Sequence, residues 1–266
     1  VENYDPQLLW FDWWIETPSF GRSHLQKLAA FYYNYAAKHG LDVALNYKFN
    51  AYAPGTAVLD VERGLLSGIH PQFWQNDTAV AKNSWGYITN NADGKGMDYK
   101  KSSDIIGDLV DVVSKNGALL LNVGPRPDGS IPEDDQRILR EIGAWLKVNG
   151  EAIYGTRPWK TYGEGPTKTV EGSMMDDKRS AFTARDMRFT CKGEKAIYAI
   201  ILAKPETEAV IHTLGADIKL HEIEIKKVSL LGYSKPLNFK REAGALRVEL
   251  PEKLPGSLAW TLKIES

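Results

Sequence analysis

Ala118-Leu119-Leu120-Leu121-Asn122-Val123 is the stretch on which the fold turns. A half-solvated strand alternates apolar and polar side chains, whereas a nearly continuous apolar run is the pattern of a strand buried on both faces. Gly117 precedes it, and a turn at Gly124-Pro125-Arg126-Pro127-Asp128-Gly129 follows. Upstream, residues 103–115 carry Ile105, Ile106, Leu109, Val110 and Val113 at helical spacing. Ser102 or Ser103 stands where an N-cap belongs, and Gly117 where the helix is expected to stop. Downstream, Pro132 stands near the start of a second helix that runs to about Asn149 and meets Gly150. A buried strand between two amphipathic helices argues for a parallel sheet wrapped by helices.

The N-terminal region repeats the alternation. Leu8–Phe11 reads as a short apolar strand ending at Asp12, residues 23–39 as a helix stopped by Gly40, residues 41–49 as a second strand and residues 57–59 as a short third. After about Tyr162 the pattern changes to short strand-like runs over residues 181–190, 196–202, 209–213, 222–231, 245–249 and 257–263. That spacing is the signature of an antiparallel sandwich. The expected class is α/β: the C-terminal part of a (β/α)8-like barrel over residues 1–160, then a β-sandwich domain over residues 161–266. Four parallel strands are half of what a closed eight-stranded barrel needs, and half a barrel leaves two strand edges open. The expectation is therefore that an N-terminal half with the other four strands is missing here or resides in another chain.

Composition narrows the function classes. Thirty-three basic residues against 34 acidic ones leave a net charge of −1, which suggests neither a nucleic-acid nor a membrane partner. No apolar run approaches the roughly 20 residues of a membrane span. Cys191 is the single cysteine, so no internal disulfide forms, and it reads as a small apolar residue in a strand. The five histidines lack ligand-like spacing, so neither a metal nor another cofactor is expected. Eight tryptophans are present, and Trp10, Trp13, Trp14, Trp74 and Trp85 fall in the first 85 residues. Indole faces suit the C–H face of a sugar ring and equally suit a protein core.

Two carboxylates stand out. Asp12 follows an apolar strand directly, in Trp10-Phe11-Asp12-Trp13-Trp14. That is the C-terminal mouth of a barrel strand, where catalytic groups of barrel enzymes lie, although an aspartate there also caps turns and helices. Glu62, in Leu59-Asp60-Val61-Glu62-Arg63-Gly64, is the second. Glycoside hydrolysis with retention uses two carboxyl groups roughly 5–5.5 Å apart, one attacking and one protonating the leaving oxygen. The same segment also reads as an ordinary salt-bridged surface run.

Asn122-Val123-Gly124-Pro125, Asp128-Gly129, Ile131-Pro132, Trp145-Leu146, Asn149-Gly150-Glu151-Ala152-Ile153-Tyr154-Gly155-Thr156 and Pro158-Trp159 occur in that order. Together with Ser84-Trp85-Gly86-Tyr87 and Trp10-Phe11-Asp12, this set resembles the α-L-fucosidases of glycoside hydrolase family 29. The resemblance implies retaining double displacement on terminal α-L-fucosides. It places the nucleophile on Asp12 and the general acid/base on Glu62. It puts Trp10 and Trp85 against the sugar, with Trp14 and Trp74 as further substrate-binding aromatics. Lys48 falls where relatives often carry an arginine that reaches toward the nucleophile, and a lysine supplies the charge without the bidentate fork. Gln75 replaces a glutamate that some relatives carry, and a neutral amide cannot act as the acid, which gives Glu62 more weight. Gln75 then reads as a natural variant that hydrogen-bonds substrate, or as an engineered knockout.

On this reading Asp12 is ionised and Glu62 protonated at rest, with Trp74 and Trp85 keeping the surroundings of Glu62 apolar. The expected partner is a fucosylated glycan, and the setting extracellular, periplasmic or lysosomal. Two alternatives remain: a catalytically inactive fucose- or carbohydrate-binding protein, and a different barrel glycosidase. Asn76-Asp77-Thr78 fits a glycosylation sequon but is read as structural, because a glycan there would obstruct the pocket.

Overall fold

The computed structural model of the chain describes residues 1–90, 94–176, 178 and 180–266. Its N-terminal part holds five parallel strands in sequential order: β1 (Leu8–Trp10), β2 (Ala44–Tyr47), β3 (Val58–Glu62), β4 (Trp74–Ala79) and β5 (Gly117–Asn122). This is one strand more than the sequence pattern predicts, and it leaves three of eight, rather than four, for the remainder of a closed barrel. The additional strand is β4. Its Gln-Asn-Asp-Thr centre has low strand propensity and no apolar alternation. Tertiary bonds hold it instead. Asn76 is buried and its Nδ2 donates to the carbonyls of Val61 and Gly64, so the sequon lies inside the fold.

The register fixes which side chains share a face. Trp10 aligns with Asn46, Asn46 with Val58, Asp60 with Gln75, Glu62 with Asp77, and Asp77 with Leu120. Because strand side chains alternate, Trp10, Asp60, Glu62, Gln75, Asp77 and Leu120 point to one side, and Leu9, Leu45, Val61, Trp74 and Leu119 to the other. The second side is the helix side. Helix α1 (Arg22–His39) packs Leu25, Ala29 and Tyr32 against Leu45, Tyr47 and Tyr52 there, and ends at Gly40 with φ +66°. Helices α2 (Ser102–Ser114) and α3 (Glu133–Asn149) share a core with Val80 and, from β5, Leu119 and Leu121.

Two local expectations change. No side chain caps α2, whose N-cap is Lys101, and the Ser102 hydroxyl bonds Glu141 of α3 instead. The chain leaves α2 through Asn116 at φ +74°, so Gly117 is the first residue of β5 rather than the helix stop. The near-continuous burial expected of residues 118–123 also fails on one side. Leu120 is 48% exposed, and Leu8 and Trp10 on the same sheet face are 51% and 39% exposed. That face is the interior of a barrel that these five strands do not close.

From Arg157 onward the chain is antiparallel. Strands β6 (Arg157–Glu164), β7 (Met187–Lys192), β8 (Ala196–Ile201), β10 (Lys227–Leu230) and β13 (Trp260–Glu265) form a five-stranded sheet in the order β10-β13-β8-β7-β6. Strands β9 (Glu208–Ile211), β11 (Phe239–Arg241) and β12 (Leu246–Glu249) form a three-stranded sheet in the order β11-β12-β9. Strand β6 begins just ahead of the 160/161 division read from the sequence. Every residue of β8 is buried. Ile197, Ala199 and Ile201 pack into the core shared with β9 and β12, while Ala196, Tyr198 and Ile200 pack against α2 and α3. The helices are thus sandwiched between the parallel and antiparallel sheets.

A buried charge cluster ties these layers together. Asp111 of α2 accepts from Lys115 Nζ at 2.7 Å and from Arg188 Nε of β7 at 2.5 Å. All three side chains are at most 2% exposed, and both cations lie over the Tyr162 ring of β6. Burial pulls the Lys115 ammonium below its ordinary value, opposed by Asp111. Removing the shared carboxylate leaves two cations in a low-dielectric layer. Asp111→Ala is therefore expected to cost about 3–5 kcal/mol, read as a shift of the denaturant midpoint; a loss below about 1 kcal/mol would mean that the cluster behaves like a surface ion pair.

Candidate active site

The polar residues gather at the C-terminal rim of the parallel sheet. Glu62 closes β3, Asp77 lies in β4 opposite it, and Asp12 and Lys48 stand just past β1 and β2. Lys48 is the centre of the group. Its Nζ lies 2.8 Å from Glu62 Oε2, 3.0 Å from Asp77 Oδ2 and 3.9 Å from Asp12 Oδ1, and its side chain is 2% exposed. It also sits 5.2 Å from the centroid of the Trp10 ring, a cation–π distance. Burial alone would lower its pKa, but hydrogen bonds to Glu62 and Asp77 and the charge of Asp60 hold it above the ordinary lysine value. Lys48 is thus a fixed cation among four carboxyl groups.

Asp12 both caps a turn and faces the cluster. Its Oδ1 accepts from the Trp13 N–H at 2.8 Å, capping the short 3₁₀ turn Trp13–Glu16, and the same atom is the one facing Lys48. The cap orients the carboxylate, and its side chain remains 39% exposed on the open side. Trp13 and Trp14 stack at 3.7 Å between ring centroids just beyond it, both exposed.

Beneath the rim lies a carboxyl that sequence reasoning passed over. Asp60 is buried, and its Oδ2 accepts from Trp10 Nε1 and, at 3.0 Å, from Gln75 Nε2. Burial, reinforced by the neighbouring charge of Asp77, pushes it up to about 7. A third carboxyl, which the sequence reading gave no role, thus holds its proton to near neutral pH. Asp77 was missed as well. Both were legible as alternation, since Asp60 and Glu62 stand two apart on β3, as Gln75 and Asp77 do on β4. Gln75 bonds the protein itself, through Asp60.

The structure brings Asp12, Glu62, Lys48 and Trp10 together and attaches Trp85 through Arg63, whose guanidinium lies 4.4 Å from the Trp85 ring. Trp74 does not join them. Its indole is fully buried on the helix side of the sheet against Val61, Leu65 and Val112, with Nε1 donating to the Lys115 carbonyl. Register decides this, because Trp74 is one residue away from Gln75 and alternation turns it outward. It is a core residue, and it supplies none of the apolar surroundings of Glu62. Among the described residues, no group of three or more His, Cys, Asp or Glu side chains is arranged to hold a metal ion.

Carboxylates at the C-terminal rim of parallel βα strands, with indoles beside them, define the class of barrel glycoside hydrolases. Comparison with known proteins specifies the family. The sequence model described as Alpha-L-fucosidase matches residues 1–151, and that described as Alpha-L-fucosidase C-terminal domain matches residues 180–265. Plasma alpha-L-fucosidase of Homo sapiens is 30% identical over 281 residues, covering 99% of this chain and 53% of the relative. Tissue alpha-L-fucosidase of Bos taurus is 31% identical over 271 residues, covering 99% and 52%. Among solved structures, Thermotoga maritima alpha-fucosidase in complex with a mechanism based inhibitor superposes with TM-score 0.73 at 28% identity, covering all of this chain and 54% of that one. The chain belongs to the alpha-L-fucosidase family, and it spans about half the length of the curated relatives it matches.

The raised Asp60 carboxyl has a consequence for stability. A carboxyl that holds its proton more tightly when folded contributes fully below its unfolded value of 3.8, and the contribution is lost as pH rises through about 7. Asp60→Asn removes the titration while keeping an acceptor and a neutral side chain. Denaturant unfolding at about pH 4.5 and about pH 8 should show a smaller pH-dependent loss of stability in the variant than in the parent. An unchanged loss would place the titration elsewhere.

Proposed function

We propose that this chain supplies the catalytic rim of a retaining exo-α-L-fucosidase that removes terminal α-L-fucose from glycans by double displacement. The observation that carries the reading is the single buried ammonium of Lys48 in contact with both Asp12 and Glu62. Their facing oxygens are separated by no more than those two contact lengths laid end to end. That bound admits the roughly 5–5.5 Å of retaining pairs and reaches only the lower end of the roughly 6.5–9.5 Å range of inverting ones.

Asp12 is the nucleophile on this reading. Lys48 sets a positive charge beside its carboxylate, and the Trp13 N–H fixes its rotation. Glu62 passes a proton to the departing glycosidic oxygen and then takes one from water, which hydrolyses the fucosyl–Asp12 ester. Trp10, exposed beside Lys48 on the same sheet face, offers an indole to the sugar, and Trp85 a second. Trp13 and Trp14 stand farther out, where an aglycone would leave. No cofactor enters this scheme.

Residues 1–160 form the catalytic part and residues 161–266 the bracing β-domain. The open edges of β1 and β5 and the exposed Leu8, Trp10 and Leu120 support an N-terminal half-barrel as the completing partner, in the same or another polypeptide. A setting outside the cytoplasm (extracellular, periplasmic or lysosomal) goes with the family likeness alone.

The test is chromophore release from an aryl α-L-fucoside by the protein completed with the N-terminal half of its barrel, beside Asp12→Asn. Turnover that falls by several orders of magnitude in the variant is the expected result, and the first-formed sugar should keep the α configuration. Silence from the well-folded, completed protein would favour an inactive carbohydrate-binding protein instead.

A further inference from the structure

Glu62 is followed by a backbone that should not be comfortable. Arg63 adopts φ +42°, a left-handed conformation that costs a non-glycine residue free energy unless its surroundings impose it. The surroundings here do so on both sides. The Arg63 N–H donates to the Asp77 carbonyl at 2.8 Å. The carbonyls of the turn point the other way, to a strap made of residues 171–176, which lies in the connection between β6 and β7 of the antiparallel sheet.

The strap binds the turn almost residue by residue. Gly172 N donates to Leu65 O at 3.0 Å, Met174 N to Glu62 O at 2.8 Å, and Met175 N and Asp176 N to Arg63 O at 2.8 and 2.9 Å. The fit is close enough that a Cβ on Gly64 would stand 2.0 Å from the Gly172 carbonyl oxygen, so only glycine fits. At its far end the strap is anchored behind β4, where the Asp176 carboxylate accepts from Thr78 Oγ1 at 2.7 Å and from Lys100 Nζ.

The Arg63 side chain then extends in the opposite direction and is 4% exposed. Its guanidinium donates to the carbonyls of Ala81 at 3.0 Å, Lys82 at 3.1 Å and Ser84 at 3.3 Å, and lies over the Trp85 ring. Three main-chain acceptors and an indole face use the planar fork in a way an ammonium cannot. Trp85 is held from the β5 side too, through its carbonyl and Asn122 Nδ2 at 2.6 Å.

From this geometry we infer that Arg63, clamped by the strap at residues 171–176, is a positioning residue that fixes the Glu62 carboxyl and the Trp85 indole as one rigid unit. The inference rests on the reading of Glu62 as acid/base. It makes the connection between β6 and β7 of the β-domain part of the site's support. A displacement near 1 Å of a catalytic group can cost about 10²-fold in rate, and a displaced acid matters only where the leaving group needs a proton.

The test compares Arg63→Lys with the parent enzyme on two α-L-fucosides, one with an activated aryl leaving group and one with a sugar aglycone. The expected result is a KM raised for both, from the loosened Trp85, and a kcat that falls about 10²-fold further with the sugar aglycone than with the aryl one. Equal falls in kcat with unchanged KM, or no change at all, would overturn the inference. Should Arg63→Lys fail to fold, Asp176→Asn, which loosens the strap from its far anchor, must show the same kcat split. Glu62→Gln is the control: if it lacks leaving-group dependence, the acid/base reading falls and the inference with it. If Glu62→Gln shows the dependence and the Arg63 and Asp176 variants do not, only the inference falls.

Discussion

The ammonium of Lys48 sets the terms for everything at the rim of this sheet. Asp12, Glu62, Asp60 and Asp77 come from two strands and one strand–turn junction, and the fold brings them to one face. Four carboxyl groups so close together repel one another, and burial makes each charge more costly. One cation, buried to 2% exposure and touching three of them, offsets that repulsion. Asp60, which it does not touch, responds differently and keeps its proton to about 7. Charge at this rim is therefore distributed by geometry: Asp12, Glu62 and Asp77 lie within reach of Lys48, and Asp60, outside its contacts, is held up by burial. An arginine at the same place would reach farther and bind bidentately, whereas a lysine concentrates its charge at one point among several partners.

Much of this was legible in the sequence. The apolar run at residues 118–123, the two amphipathic helices beside it and the short strands after residue 162 specify the layers. The Trp10-Phe11-Asp12 and Asp60-Val61-Glu62 segments mark the rim. What stayed hidden was whatever depends on tertiary partners. Strand β4 offers no pattern because its outward Asn76 and Thr78 answer to Val61, Gly64 and Asp176 rather than to a hydrophobic layer. The place of Trp74 was misread for the same reason. A tryptophan near a site suggests the site, but parity along the strand decides the face, and parity is countable only once β4 is known to be a strand. Asp60 needed both facts, since its burial follows from the Trp10 and Gln75 side chains that close over it.

The two halves of the chain are also less separable than their different architectures suggest. The Asp111–Lys115–Arg188 cluster joins α2 to β7 with charges that cannot be left unpaired. The strap over the turn after Glu62 carries main-chain bonds from the β6–β7 connection directly to the candidate acid/base. Strand β8, buried on both faces, serves two cores at once. The β-domain is thus bonded to the back of the parallel sheet as part of the same solid.

The exposed inner face of the parallel sheet couples two properties that are usually independent. Leu8, Trp10 and Leu120 look into the space that a closed barrel fills, and the edges of β1 and β5 present unpaired main-chain groups. On the proposed reading, whatever covers that face also builds the other wall of the sugar pocket. Solubility and sugar recognition therefore arrive together, in one closure step. A population of chains stalled before closure would expose the same apolar surface that quality-control factors recognise, so the cell's check on folding doubles as a check on whether the pocket exists.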